Sequence, residues 1–571
     1  MTSAITDNRM SLGAYAQKDA LRLGVATATH LRASLFLIFA ALCLFLPGFF
    51  TLQPMDRDEP RFAQATKQML ETGDFVAIRF QQEARNKKPV GIYWLQSASV
   101  ALGEKLGVED ARRKVWLYRL PSLLAAIGAV LLTYWTALAF VSRSSAFLAA
   151  LLMASIILIG VEARLAKTDA TVLATVLAAM GAFARIFLGQ VSGSPWRLPA
   201  IFWTAIGVGL LVKGPITPMI PLLAGIALYL RDRSAPWLRQ LKVLPGLGWA
   251  MLLVLPWFVI IMIATKGAFL ADSVGADMLG KVGSGQEAHG APPLTYFAVF
   301  WATAWPMAPF AAIAAPFVWQ SRKDAKVLFL LCWLVPAWLL FEAVPTKLPH
   351  YVLPMYPAIA ILIAIGIERG ALDLHKPWRR RILWLVPVLL ILLVSAATGY
   401  AVWSQALPGL AFWLFGPIAV AASIAYALPR FTHAERIVFG AIASSALAFV
   451  AYLGVLSGAT GRDIAISPRM AAAAKVEGCA DIRLASSGYY EPSLVLLTRT
   501  DIAMLDGKRA AEYLIEGPCR LAFVESRQEV AFKAALGSAA NVRLRERLKG
   551  TNINGGRKLD IGIYERAGDA K

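Results

Sequence analysis

Charge is scarce in this sequence. Of its 571 residues 16% are charged, against roughly 25% in an ordinary globular chain. Acids are scarcer than bases, 36 Asp+Glu to 57 Lys+Arg, for a net charge of +21. Cysteine is limited to Cys43, Cys332, Cys479 and Cys519 with no CxxC pair, which excludes a zinc ribbon or a disulfide knot. Long polar tracts, repeats and low-complexity runs are absent, so disorder is excluded as well. What fills the sequence is apolar: 58% of residues, with a mean hydropathy of +0.58. In a soluble chain the basic excess would point to nucleic acid. Here it orients membrane spans and attracts anionic lipid headgroups, and no nucleic-acid partner is predicted.

Apolar runs of about 17–25 residues cross roughly 30 Å of hydrocarbon as helices. Such runs lie near 33–50, 119–140, 145–162, 169–189, 199–212, 215–230, 244–264, 294–319, 326–343, 351–368, 382–402, 410–428 and 437–457, about thirteen in all. The segment 89–103 is too short to span comfortably and is read as an interfacial helix. With it left out, the basic connectors around Arg143, Arg231–Lys242, Arg322–Lys326, Arg369–Arg381 and Arg430–Arg436 share one side with the N-terminal segment. The positive-inside rule makes that side the cytoplasm. The first 32 residues are mixed polar and lack the pattern of a cleavable signal. The odd span number then places the C-terminus outside. Residues 458–571 are polar, with strand-like runs at Asp481–Ala485, Leu521–Glu525 and Leu559–Glu565, and predict a small external α/β domain. Cys479 and Cys519 each precede one of those strands. A disulfide and two free thiols are both open from spacing alone.

Polar chemistry collects in the external connectors. The first, 51–118, holds Asp58-Glu59-Pro60-Arg61 and Arg85-Asn86-Lys87-Lys88-Pro89. The second runs Arg164-Leu-Ala-Lys167-Thr168-Asp169 into a span. The third is Lys213-Gly214-Pro215, and the fourth is Thr346-Lys347-Leu348-Pro349-His350-Tyr351. A longer loop, 265–293, adds Lys281, Gln286, Glu287 and His289. Taken singly, a lysine at a span end ordinarily snorkels to the headgroups, and Asp58 or Glu59 reads as a first-turn helix acid. Collected at one level, they predict a wet pocket for an anionic, lipid-borne substrate. In it cations bind phosphate, and carboxylates take a proton or stabilise positive charge on a sugar ring.

The ordered set of motifs resembles a known family. Asp58-Glu59-Pro60-Arg61-Phe62, Gly73-Asp74-Phe75, Lys88-Pro89-Val90-Gly91-Ile92-Tyr93-Trp94, Ala163-Arg164 with Thr168-Asp169, Lys213-Gly214-Pro215 and Lys347-Leu348-Pro349-His350-Tyr351 are similar to the bacterial C-type membrane glycosyltransferases related to protein O-mannosyltransferases. Within these, the sequence lies nearest the aminoarabinose–lipid A transferase family. The resemblance implies an α-helical polytopic membrane protein of about thirteen transmembrane helices, with interfacial helices in the first external loop and a C-terminal periplasmic α/β domain. The domains expected are a cytoplasmic segment 1–32, a transferase domain 33–457 and a periplasmic domain 458–571, in a bacterial inner membrane. By the same resemblance the substrates are a polyprenyl-phosphate sugar donor and a lipid A or lipopolysaccharide acceptor. Asp58 and Asp169 match the catalytic aspartates and Lys88 the lysine on the donor phosphate. Arg61, Lys213 and Lys347 are its helpers, and Glu59, Tyr93, His289, His350 and Tyr351 complete the pocket. The family usually has Glu before that lysine, sharing a metal with a histidine of a later loop. Lys87 stands there instead, so no metal and no other cofactor is expected. Protein O-glycosylation and lipid-linked sugar transport are the alternatives. The sugar, the acceptor position and the oligomeric state are not legible.

Overall fold

The computed structural model describes residues 27–566, apart from 55–56, 281–289, 373–375, 391, 393–419, 428–433, 458–464, 477–478, 480, 538–540 and 553–555. Its first helix, His30–Phe45, begins at Thr29, whose hydroxyl accepts from the Arg32 backbone N–H at 3.1 Å. Five described segments are long and apolar enough to cross a membrane: Val115–Ala137, Asp169–Phe187, Val243–Ala264, Ala325–Ala343 and Pro349–Glu368. Shorter apolar helices, among them Arg143–Ser155, Ile216–Arg231 and Met307–Gln320, lie between them. The chain is a polytopic helical membrane protein. Val243–Ala264 shows why: its mean hydropathy is 2.4, yet only 17% of its apolar window is buried. Leu244 and Ile263 are 83% and 74% exposed, a surface that suits hydrocarbon and not water.

The predicted spans correspond to helices wherever they fall on described residues, with two interruptions. The run 145–162 divides at Ile156 into Arg143–Ser155 and Ile157–Glu162. The run 294–319 divides into Thr295–Thr303 and Met307–Gln320. The two breaks face each other, and the Ile157 N–H donates to the Trp305 carbonyl at 3.1 Å. A backbone group freed inside an apolar layer is thereby satisfied within the protein. The expected spans 382–402 and 410–428 lie largely outside the described residues, and the last, 437–457, falls within the helix Ala434–Ser457.

Between helices His30–Phe45 and Val115–Ala137 sits a compact insertion. Helix Asp58–Thr72 ends at Gly73, whose φ of 72° only glycine adopts without strain. A two-stranded hairpin, β1 (Arg79–Phe80) and β2 (Glu83–Ala84), follows and leads into helix Gly91–Lys105. That helix has 15 residues, about 22 Å at 1.5 Å per residue, too short for the hydrocarbon layer. One face is buried through Ile92, Tyr93, Gln96 and Val100, while Trp94, Leu95 and Leu102 remain exposed. Its start touches helix Arg197–Lys213 so closely that a Cβ on Gly91 would lie 2.7 Å from the Leu211 carbonyl oxygen.

Beyond residue 465 the chain builds a five-stranded sheet, β3 (Arg483–Ser487), β4 (Ala503–Leu505), β5 (Arg520–Glu525), β6 (Val542–Asn552) and β7 (Arg557–Arg566), in the order β4-β3-β5-β7-β6. The first three neighbours are parallel, and β7 and β6 return antiparallel. Ile466, Leu484, Phe523 and Ile561 pack one face; Ala510, Leu514, Phe532 and Tyr564 pack the other. Cys479 and Cys519, at the heads of β3 and β5, form a disulfide with a Cα–Cα distance of 5.6 Å. The sheet unit is bonded to the insertion. Gln64 Nε2 donates to Thr500 Oγ1 at 2.8 Å, Lys67 Nζ to the Leu496 carbonyl at 3.1 Å, and Arg57 pairs with Glu491 at 3.1 Å.

Candidate active site

Local helix chemistry places the charged residues. Asp169 and Asp58 each open a helix, where the exposed N–H groups favour a carboxylate. Lys213 closes one, because Gly214 (φ 68°) ends the helix Arg197–Lys213 and Pro215 starts the next. Glu162 closes Ile157–Glu162, and His350 lies in the 3-10 turn Pro349–Met355. Helices that run in alternating directions thus deliver all of these side chains to one end of the layer.

At the centre Asp169 is bonded to Lys213, both nearly closed to solvent. The His350 imidazole lies between two acids, its Nε2 3.6 Å from Asp169 Oδ1 and its Nδ1 3.6 Å from Glu162 Oε1. Lys167 Nζ is 3.6 Å from the same Glu162 oxygen. Tyr351 stands beside them, with Lys213 Nζ 5.3 Å from its ring centre. The charges of Asp58, Lys167 and Lys213 all act on His350, and those of Asp58, Asp169 and Asp277 on Tyr351. Asp58 itself bonds Arg61 at 3.3 Å. Burial raises its pKa, but Arg85, then Lys167 and Arg61, outweigh that and hold its carboxyl below the usual value of 3.8. Lys88 reaches Asp277 at 2.6 Å, and the neighbouring Asn86 bonds Asp272 at 3.0 Å.

Two residues read as pocket members have other tasks. Glu59 is fully buried and takes a bidentate pair from Arg119 at 2.6 and 2.9 Å, plus the Ala166 N–H at 3.0 Å. It ties the head of helix Asp58–Thr72 to the turn that carries Lys167. Lys347, expected as a donor-phosphate ligand, turns back onto its own chain. Its ammonium donates to the carbonyls of Glu342 at 2.8 Å and Val344 at 2.7 Å, with Phe341 at 3.4 Å. These are orphan acceptors at the end of helix Ala325–Ala343, and a lysine so engaged caps a helix rather than facing a ligand. Arg164 likewise donates to the Pro47, Gly160 and Leu44 carbonyls. Tyr93 is buried against Phe62, ring centres 5.5 Å apart, and burial pushes its hydroxyl pKa up. His289 lies outside the described residues.

The motifs do not single out Glu162, Arg119 or Asp277, and they give Arg85 no role of its own within the first connector. Arg119 had a signal, a lone arginine at the head of an apolar run; Asp277 had none, since only folding brings it to Lys88. Glu162, Asp169 and His350 hold ligand-type atoms within 4.8 Å of one another, the spacing of a divalent-cation site. Against a cation stand the ammonium groups of Lys167 and Lys213, each on one of those acids. The donor set is charge-compensated by lysine and does not fit a metal well.

Comparison with known proteins agrees with this layout. Residues 30–269 match the family model described as dolichyl-phosphate-mannose-protein mannosyltransferase (PMT). The chain is 28% identical over 352 residues to the undecaprenyl phosphate-alpha-4-amino-4-deoxy-L-arabinose arabinosyl transferase of Erwinia tasmaniensis, covering 58% of each. To the protein of that name from Aeromonas salmonicida it is 29% identical over 353 residues, 60% of this chain and 61% of the relative. The chain therefore matches about three fifths of the length of these curated relatives. Among solved structures, ArnT from Cupriavidus metallidurans bound to undecaprenyl phosphate superposes with a TM-score of 0.72 at 16% identity, over 92% of this chain and 97% of that one. Its apo form gives 0.73 at 17% identity, over 94% and 98%. Residues 30–269 are thus similar to the PMT family, within a polytopic membrane fold like that of the ArnT structures.

Proposed function

We propose that the protein transfers a monosaccharide from a polyprenyl-phosphate carrier to a lipid A or lipopolysaccharide-type acceptor at the periplasmic face of a bacterial inner membrane. The observation that carries this reading is the meeting of Asp58, Asp169, Lys213 and the Lys88–Asp277 pair, drawn from separate connectors, at one end of an apolar helical layer. The names of the curated relatives, undecaprenyl-phosphate sugar transferases, support it. So does an apolar groove of about 900 Å³ lined by Phe297, Phe300, Trp301, Val318, Leu334 and Trp338, whose lining suits a hydrocarbon tail. Its Phe297 end adjoins Tyr296, whose hydroxyl accepts from the Leu348 N–H at 3.2 Å, two residues before His350.

In this mechanism Lys88 and neighbouring cations take the donor phosphate as the leaving group, Lys88 exchanging Asp277 for it. Sugar–phosphate cleavage develops positive charge on the ring, which the fixed carboxylate of Asp58 or Asp169 stabilises. Asp58 is ionised at neutral pH, because its cationic neighbours hold it below the ordinary range. It therefore suits charge stabilisation and orientation of the acceptor; an acceptor phosphate is already ionised and needs no strong base. Transfer on this scheme uses no resident metal beside Lys87. The thirteen-span topology, the cytoplasmic N-terminus and a periplasmic placement of 458–571 belong to the same proposal, supported by the one-sided basic connectors. The PMT match favours one second reading, a protein acceptor for the same transfer.

Purified Asp58→Asn and Lys88→Ala variants test the assignments: each is expected to lose about 10²–10³ in transfer rate. Wild-type rates in both would remove them. Mass spectra of lipid A from a deletion strain separate the acceptors, since loss of one sugar mass marks a lipid. Unchanged lipid A with altered glycoproteins would mark a protein.

A further inference from the structure

Four acids of this site are each matched to a cation, Asp58 to Arg61, Asp169 to Lys213, Glu162 to Lys167 and Asp277 to Lys88, while Asp272 is held by the Asn86 amide. Arg85 is a fifth cation beside them, and its charge is the largest of those that lower the Asp58 pKa. It follows β2 directly, and its backbone N–H is anchored on the Ile78 carbonyl at 2.8 Å. Its guanidinium carbon lies 5.3 Å from the centre of the Phe62 ring, which steadies the plane of the group. Its Nε–H is shielded from solvent and makes no hydrogen bond among the described residues, with the Tyr93 hydroxyl standing beside the guanidinium. A buried donor of this kind is costly to leave unmade and is satisfied by whatever enters the site.

We propose that the sugar delivered to this site bears a carboxylate, as a polyprenyl-phosphate-linked uronosyl group, and that Arg85 receives it. The proposal rests on the polyprenyl-phosphate reading above and adds the charge class of the sugar. A guanidinium presents a planar fork that a carboxylate fits with two parallel hydrogen bonds. An amino sugar, which the names of the curated relatives specify, would bring an ammonium against Arg85, where Asp58, Asp169, Glu162 and Asp277 already hold cations. Lys87, exposed two residues beyond Arg85, adds to the positive field of the segment. Arg85 thus acts as a specificity residue, distinct from the lysine on the phosphate.

The test is displacement of radiolabelled undecaprenyl phosphate from the full-length protein in detergent. Three competitors are used: undecaprenyl-phosphate galacturonose, its neutral galactosyl counterpart and the 4-amino-4-deoxyarabinosyl form. The uronosyl form is expected to compete about tenfold to hundredfold more strongly than the amino form, the range of one charge-assisted hydrogen-bonded pair, with the neutral form between them. In Arg85→Gln the uronosyl preference over the neutral form should fall to within about threefold. Equal or better competition by the amino sugar, or a preference that survives in Arg85→Gln, overturns the proposal. If undecaprenyl phosphate does not bind at all, the carrier reading fails and takes this inference with it. Binding without discrimination removes this inference alone.

Discussion

Replacing Arg119 with methionine should cripple the protein without touching any residue proposed to meet substrate. Arg119 and Glu59 are 1% and 0% exposed, and they meet through two hydrogen bonds of 2.6 and 2.9 Å. The guanidinium also serves the Phe49 carbonyl at 3.1 Å and the Leu52 carbonyl at 2.8 Å. Methionine matches much of the volume but leaves Glu59 as a buried carboxylate with the Ala166 N–H as its remaining partner among the described residues. Breaking one side of such a pair costs about 3–5 kcal/mol. Glu59 adjoins Asp58 in sequence, and Ala166 adjoins Lys167, so relief of the stranded charge separates the two connectors. A displacement of about 1 Å between reacting groups costs on the order of 10² in rate. The expected result is a lowered melting temperature in detergent together with a transfer rate reduced at least about 10²-fold. A second variant, Glu59→Gln with Arg119→Met, removes the stranded charge. It should recover more of the stability than of the rate. Normal stability and rate in Arg119→Met alone would refute the idea that this pair sets the spacing of the site.

Three further outcomes follow from the same geometry. Lys213→Ala removes the ammonium bonded to Asp169 and should cut initial transfer rates by about 10²–10³, with Lys213→Arg retaining more activity than Ala; equal rates in the two would count against a positional role. Burial lowers the Lys67 pKa from 10.5 to about 8, with Glu71 opposing that shift. Between pH 8 and 10.5 the unfolded chain then binds more protons at this position than the folded one, so stability should rise with pH across that window. Melting temperatures of wild type and Lys67→Met test this, because the variant should lack the slope. Opening the Cys479–Cys519 bridge, which spans 40 residues, by a double serine substitution should cost about 4 kcal/mol in the chain-entropy account. Thiol labelling of the unreduced, denatured protein should detect only Cys43 and Cys332.

The membrane architecture was legible because its signals are local. A helix that crosses hydrocarbon must satisfy its backbone within one segment, so each span announces itself as a run of apolar residues. Segment 89–103 is set apart from the spans by its length and by the basic connectors, which share one side only when it is left out, and the structure makes it a 15-residue helix. The outer strand β6, VRLRERLKGTN, was missed for the opposite reason. It is a charged edge strand, and edges are kept polar to discourage further pairing. At the site, the helix-terminal positions of Asp58, Asp169 and Lys213 could be read from their flanking motifs. The duties of Glu59, Lys347 and Arg164 could not. Whether a buried charge faces a ligand, a partner residue or a row of orphan carbonyls depends on which segments arrive beside it.

The sequence alone decided that this is a multi-span helical chain whose charges gather at one end of its helices, because hydropathy and helix termination act within about twenty residues. Tertiary structure decided which of those charges share a pocket. It set Asp277 on Lys88 and Glu162 on His350 across gaps of 189 and 188 residues, withdrew Glu59 into a strut with Arg119, and gave Lys347 to a helix end. Coulomb energy and desolvation depend on distance and on what lies between, and no local pattern encodes either across such separations.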